Sequence, residues 1–143
     1  MIVVDSSIWI DFFNGQYTPG TARLSQLLGH DPILVGELIL CEVLQGARSA
    51  RHADELELAM RQCEFIEMCD VELARAAATN HRELRAKGIT VRKTIDMLIG
   101  TYCIVHRHTL LHSDRNYEPM ERYLGLKVVP THYMVNEPRV AYG

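Results

Sequence analysis

Met1-Ile-Val-Val-Asp5-Ser-Ser-Ile-Trp-Ile10 sets a carboxylate between two apolar runs. Ile2-Val3-Val4 is short, β-branched and continuous, the pattern of a strand buried on both faces. Ser6 and Ser7 read as the N-cap of a helix that opens with Ile8. Asp5 is therefore expected at the C-terminal end of a buried strand, where an acid needs donors or a cation to offset its desolvation.

Outward from this stretch, helices and strands alternate. Helices are expected over Ile8 to Phe13 and over Thr21 to Leu28, the latter striped by Leu24, Leu27 and Leu28 and stopped by Gly29 and Pro32. A strand Ile33 to Val35, a helix Glu37 to Arg48, a helix Ala53 to Gln62, a strand Phe65 to Met68 and a helix Val71 to Lys87 capped by Asp70 follow. The second half continues with a helix Thr94 to His106, a strand Thr109 to His112, a helix Pro119 to Leu124 and a strand Lys127 to Val129. Strands separated by helices imply right-handed crossovers, so the expected fold is a three-layer α/β/α domain with a mostly parallel sheet over residues 1–130. The tail, 131–143, lacks apolar periodicity and is expected to pack on the surface or fray.

A chain of 143 residues can bury roughly two-thirds of its unfolded surface as one domain. Cys41, Cys63, Cys69 and Cys103 contain no CxxC pair, and three lie in apolar-rich stretches where a reduced thiol acts as a small hydrophobe, which favours a reducing, cytoplasmic setting. The apolar run at the start stops at Asp5, and no stretch reaches the ~18 apolar residues of a membrane span. No signal peptide, anchor or membrane partner is expected. The net charge of -3 is not that of an obvious nucleic-acid binder, but the charge is uneven. Arg75, Arg82, Arg85, Lys87, Arg92 and Lys93 face only Glu83 between Leu73 and Ile95, whereas Glu37 to Glu72 is rich in acids.

Three further acids share the setting of Asp5. Glu42 lies within Leu38-Ile-Leu-Cys-Glu42-Val-Leu, Asp96 within Ile95-Asp96-Met-Leu-Ile, and Asp114 follows the strand Thr109 to His112. Singly, each has an ordinary account: Asp96 complements a helix dipole, Asp114 opens a turn, and Glu42 is one polar residue on a helix edge. Together they stand at strand ends and near helix beginnings, on the edge where open α/β sheets place ligands. Oxygen-only donors suit Mg²⁺ or Mn²⁺, and no CxxC or HExxH set offers zinc a home.

Asp5-Ser6-Ser7-Ile8-Trp9-Ile10, Glu42-Val-Leu-Gln-Gly46, Thr94-Ile-Asp96-Met-Leu-Ile and Leu110-Leu-His-Ser-Asp114-Arg-Asn116-Tyr117 resemble, in content and order, the four signatures of PIN-domain ribonucleases. More narrowly, the chain resembles the VapC toxins of bacterial and archaeal toxin-antitoxin systems, from about Met1 to Val129. The resemblance implies a parallel sheet of four or five strands, one or two divalent ions held by Asp5, Glu42, Asp96 and Asp114, and hydrolysis of RNA in single strands or exposed loops, tRNA or another structured RNA among them. It also implies homodimerisation and inhibition by a VapB-type antitoxin. Ser6 matches the small hydroxyl that helps position the metal or its water. Asn116 stands where many relatives have another acid, and His112 where threonine is common.

Two other classes compete with this reading. A catalytically silent PIN-like module would bind RNA or a protein without cleaving. A phosphotransfer or phosphatase domain would want a second aspartate two residues after Asp5 or an acidic pair before it, and Ser7 and Val3-Val4 supply neither. Trp9 could stack a base, but between Ile8 and Ile10 core packing is expected. His106 and His108 read as helix-end or turn residues.

Overall fold

Ile2–Val4 forms the middle of the sheet. In the computed structural model, which describes residues 1–131, this strand (β1) pairs in parallel with β2 (Ile33–Gly36), Ile2 opposite Ile33, and with β4 (Thr109–Leu111), Val3 opposite Leu110. β3 (Glu64–Ile66) extends the sheet beyond β2, and β5 (Lys127–Val128) extends it beyond β4. The result is an all-parallel five-stranded sheet in the order β3-β2-β1-β4-β5. Val3, Val4, Leu110 and Leu111 are fully buried, as central parallel strands require when helices cover both faces.

Helix α1 (Ser6–Phe13) packs against α2 (Pro19–Leu27) and α3 (Glu37–Gln45), α3 packs against α4 (Ala50–Met60), and α5 (Val71–Ala86) packs against α6 (Thr94–His106) and α7 (Glu118–Leu124). The α/β expectation holds, with differences at the ends of elements that capping explains. Asp5, not the serine pair, is the N-cap of α1: its Oδ2 accepts from the Ser7 amide at 3.3 Å and the Ser7 hydroxyl at 2.7 Å. The helix therefore starts at Ser6. Thr18 and Thr21 form a capping box around Pro19, so α2 begins before Thr21. Ser49 accepts from the His52 amide at 3.1 Å and starts α4 at Ala50, while α3 ends at Gln45, short of Arg48. A 3-10 turn, Arg115–Tyr117, was not expected from periodicity.

α6 is the most enclosed helix, with Asp96, Met97, Ile99, Gly100, Thr101, Tyr102 and Cys103 all buried. Gly100 is needed there, because a Cβ would collide with the thioether end of Met120 on α7, itself fully buried, beside the Tyr117 ring. Of the cysteines only Cys103 is buried. Cys41 and Cys69 are exposed and Cys63 is intermediate, which corrects the view that three act as core hydrophobes. No described helix is long and apolar enough to cross a membrane. The tail expected to pack or fray lies, from residue 132 on, outside the described residues.

The strand order places the site. Winding runs outward from β1 through β2 to β3, then returns and runs outward through β4 to β5, so the direction reverses between β1 and β4. Beyond the carboxyl ends of two such strands the crossovers diverge and leave a crevice.

Candidate active site

Asp5 follows the last residue of β1, and its amide donates to the Leu111 carbonyl at the end of β4 across 2.9 Å. The carboxylate is thereby set at the switch point, only 3% exposed. Asp96, 2% exposed, lies in the first turn of α6. The hydroxyl of Tyr117 lies 2.8 Å from Asp5 Oδ1 and 3.4 Å from Asp96 Oδ1, between the two acids. Asn116 Nδ2 donates to Asp96 Oδ2 at 3.0 Å. Burial of the phenol, then the negative charge of Asp5 and Asp96, pushes the Tyr117 pKa far up, so it stays a donor.

Glu42 lies in the middle of α3 rather than near its beginning. Its Oε1 accepts from Ser6 Oγ at 2.8 Å, which ties α3 to the start of α1. Asp114 is the N-cap of the 3-10 turn, its Oδ1 accepting from the Asn116 amide at 2.9 Å. Electrostatics relate these acids to one another. Desolvation raises the pKa of Asp96, with Asp5 and Asp114 adding to the rise, while the Asn116 hydrogen bond and Lys93 oppose it. Glu42 is also raised by burial, with Asp5 and Asp96 adding and Ser6 and Lys93 opposing. Among the described residues no three Asp, Glu, His or Cys side chains form a ready-made ion site. The acids instead hold hydrogen bonds to Ser6, Ser7, Asn116 and Tyr117.

The donor set fits a hard divalent cation. It is built from carboxylate oxygens alone, and both the burial that raises Asp96 and Glu42 and the smaller repulsion between neighbouring acids are offset by a cation. Ser6 Oγ donates to Glu42 and Asn116 Nδ2 to Asp96. Lys93 is the one cation of the basic stretch that acts on both Glu42 and Asp96 among the described residues.

Three contributors escaped the sequence reading. Tyr117 stood inside the fourth motif, directly after Asn116, but an aromatic residue there signals core as readily as site. Ser7 was read as a cap and instead donates to one. Glu121, whose Oε2 lies 3.0 Å from His112 Nε2, carried no signal at all. Trp9 is fully buried, stacked on Phe13 with centroids 5.7 Å apart, so it packs the core. His106 and His108 stand on either side of the α6 C-cap, Arg107, which takes the left-handed conformation at φ 58°. His108 Nδ1 lies 3.4 Å from the Met1 amino group, at the end of β1 opposite Asp5.

The family model of the PIN domain matches residues 2–123. Ribonuclease VapC11 of Mycobacterium tuberculosis and VapC ribonuclease Mb1587 of Mycobacterium bovis are each 29% identical over 129 residues, covering 89% of this chain and 96% of theirs. The fold is also that of VapBC2 from Rickettsia felis, solved on a promoter DNA fragment, with TM-score 0.71, 18% identity and coverage of 90% of this chain and 98% of the other. FitAcB from Neisseria gonorrhoeae aligns with TM-score 0.70 at 11% identity, covering 93% and 99%. With the four motifs present in order on a matching fold, the chain belongs to the PIN-domain family.

Proposed function

We propose that this protein is a VapC-type toxin, an endoribonuclease that uses Mg²⁺ or Mn²⁺ held by Asp5, Glu42, Asp96 and Asp114. The observation that carries the proposal is the shared Tyr117 hydroxyl between two acids buried at the switch point. Burial of neighbouring like charges costs stability, and a divalent cation is the partner that offsets it. The VapC ribonucleases among its relatives support the same reading.

Asp5, Glu42, Asp96 and Asp114 would hold the ion, which would supply Lewis acidity for in-line displacement of the RNA 3′-oxygen by water at phosphorus. The chain's own residues hold the acids for that task. Tyr117 fixes Asp5 and Asp96 relative to each other, Ser6 fixes Glu42, and Asn116 joins Asp96 to the turn that carries Asp114. Lys93 offers positive charge beside the acids. A neighbouring cleft of about 680 Å³, lined by Arg115, Arg122 and Tyr123 together with Glu118 and Glu121, suits a flanking stretch of RNA. The products carry 5′-phosphate and 3′-hydroxyl ends.

Solved neighbours are toxin-antitoxin complexes, which supports a VapB-type antitoxin as the partner. Unpaired thiols suit a cytoplasmic setting. End-mapped RNA cleavage by wild type and Asp96→Asn, with Mg²⁺, Mn²⁺ or chelator, tests the proposal. Cyclic-phosphate ends, or equal activity of the two proteins, would overturn it. A folded protein that binds RNA without cutting it would be the silent module instead.

A further inference from the structure

Both ring nitrogens of His112 are engaged inside the protein. Nδ1 accepts from the Asp114 backbone amide at 3.1 Å, and Nε2 lies 3.0 Å from Glu121 Oε2. These partners select one tautomer. An amide N–H can only donate, so Nδ1 must be the bare nitrogen, and the proton on Nε2 then points to a carboxylate, which can only accept. The ring also lies against that of Tyr117, with centroids 4.7 Å apart and planes at 48°. One side chain therefore touches two parts of the acidic centre: the backbone of Asp114 and the residue that bridges Asp5 and Asp96.

Neither nitrogen of His112 is free to meet RNA, so it does not act on substrate directly. Its partner Glu121 lies on α7, about one-third exposed and outside the acidic quartet. The line of contact runs from α7 through Glu121 and His112 to the Asp114 amide, and Asp114 Oδ1 in turn caps the 3-10 turn through Asn116. We propose that Glu121 and His112 are positioning residues, which hold the Asp114 segment in register with Asp5 and Asp96 and so set the affinity of the acidic centre for a divalent cation. This rests on the assignment of the quartet as a metal centre. Outer hydrogen bonds of this kind orient the groups that ligate, and losing one weakens metal binding by about 10- to 100-fold.

The test is Mn²⁺ binding, read from the electron paramagnetic resonance signal of the free ion, in wild type, His112→Phe, His112→Asn, Glu121→Leu and Asp96→Asn. Phenylalanine keeps the ring against Tyr117 but removes both nitrogens, and we expect it to weaken Mn²⁺ binding by about tenfold or more. Asparagine places an amide oxygen near the position of Nδ1 and should restore affinity to within about threefold of wild type. A purely packing role predicts the reverse order. Glu121→Leu, at a partly exposed site that tolerates substitution, should weaken binding with no loss of fold, and it serves if His112→Phe does not fold. The ¹⁵N spectrum of His112 in the unmodified protein should show the Nε2–H tautomer. Wild-type affinity in both His112→Phe and Glu121→Leu, with binding lost in Asp96→Asn, would overturn the positioning role while leaving the metal centre intact. Wild-type affinity in Asp96→Asn would remove the metal centre itself and the proposal with it.

Discussion

The hydroxyl of Tyr117 lies 2.8 Å from Asp5 Oδ1, joining the end of the first strand to a turn 112 residues later. Both partners are buried, and the same hydroxyl stands 3.4 Å from Asp96. A phenol has one proton to give, so the shorter contact is the principal hydrogen bond and Asp96 receives the weaker share.

Tyr117→Phe should leave the fold intact and the acids less well satisfied. Removing the donor from a buried carboxylate costs about 1–3 kcal/mol, and the loss should appear in urea denaturation with chelator present. Excess Mn²⁺ should recover part of it, because cation binding stabilises the native state by mass action.

The raised pKa values of Asp96 and Glu42 set the pH dependence of the metal-free protein. Between the ordinary carboxylate range, about pH 4, and the raised native values, the folded protein holds protons that the unfolded chain has released. Their contribution to stability is full below that window and is lost as pH rises through it. Melting temperature in chelator should therefore carry a declining component above about pH 4, and saturating Mg²⁺ should remove it. Asp96→Asn should melt higher than wild type in chelator at pH 7 while cleavage falls to background.

Ser6→Ala tests the link between α1 and α3. The Ser6 hydrogen bond lowers the pKa of Glu42 against burial and the charge of Asp5 and Asp96. Without it the Glu42 carboxyl should titrate at higher pH, which ¹³C NMR of the side chain in chelator would show directly. An unchanged titration would mean that the serine does not hold Glu42 in solution.

Gly100→Val should destabilise the protein by about 1–3 kcal/mol through overpacking, since any Cβ at this position meets Met120 next to Tyr117. Met120→Ala in the same chain should relieve part of the loss. Denaturation midpoints of the single and double variants measure the coupling.

The sequence carried the order of elements because buried strands and capped helices are written in short windows. Ile2-Val3-Val4 read as a strand without a partner in view, α6 was expected over Thr94 to His106 and spans those residues, and Asp70 capped α5 as expected. Ends were misjudged where the cap lay a few residues upstream of the apolar stripe, as with Thr18 and Ser49.

The four acids were likewise legible, as charges that apolar surroundings do not explain. Their relation to one another was not. That Tyr117 bridges Asp5 and Asp96, and that Glu121 reaches His112 behind Asp114, depends on β4 lying beside β1 and on α7 folding back over the turn. A hydrophobic pattern records whether a residue is buried, because burial leaves its mark every second or every third to fourth position. It does not record which distant residue a buried hydroxyl or imidazole will face. That is settled only when the strands are ordered in the sheet and each buried polar atom takes the partner the fold has brought to it.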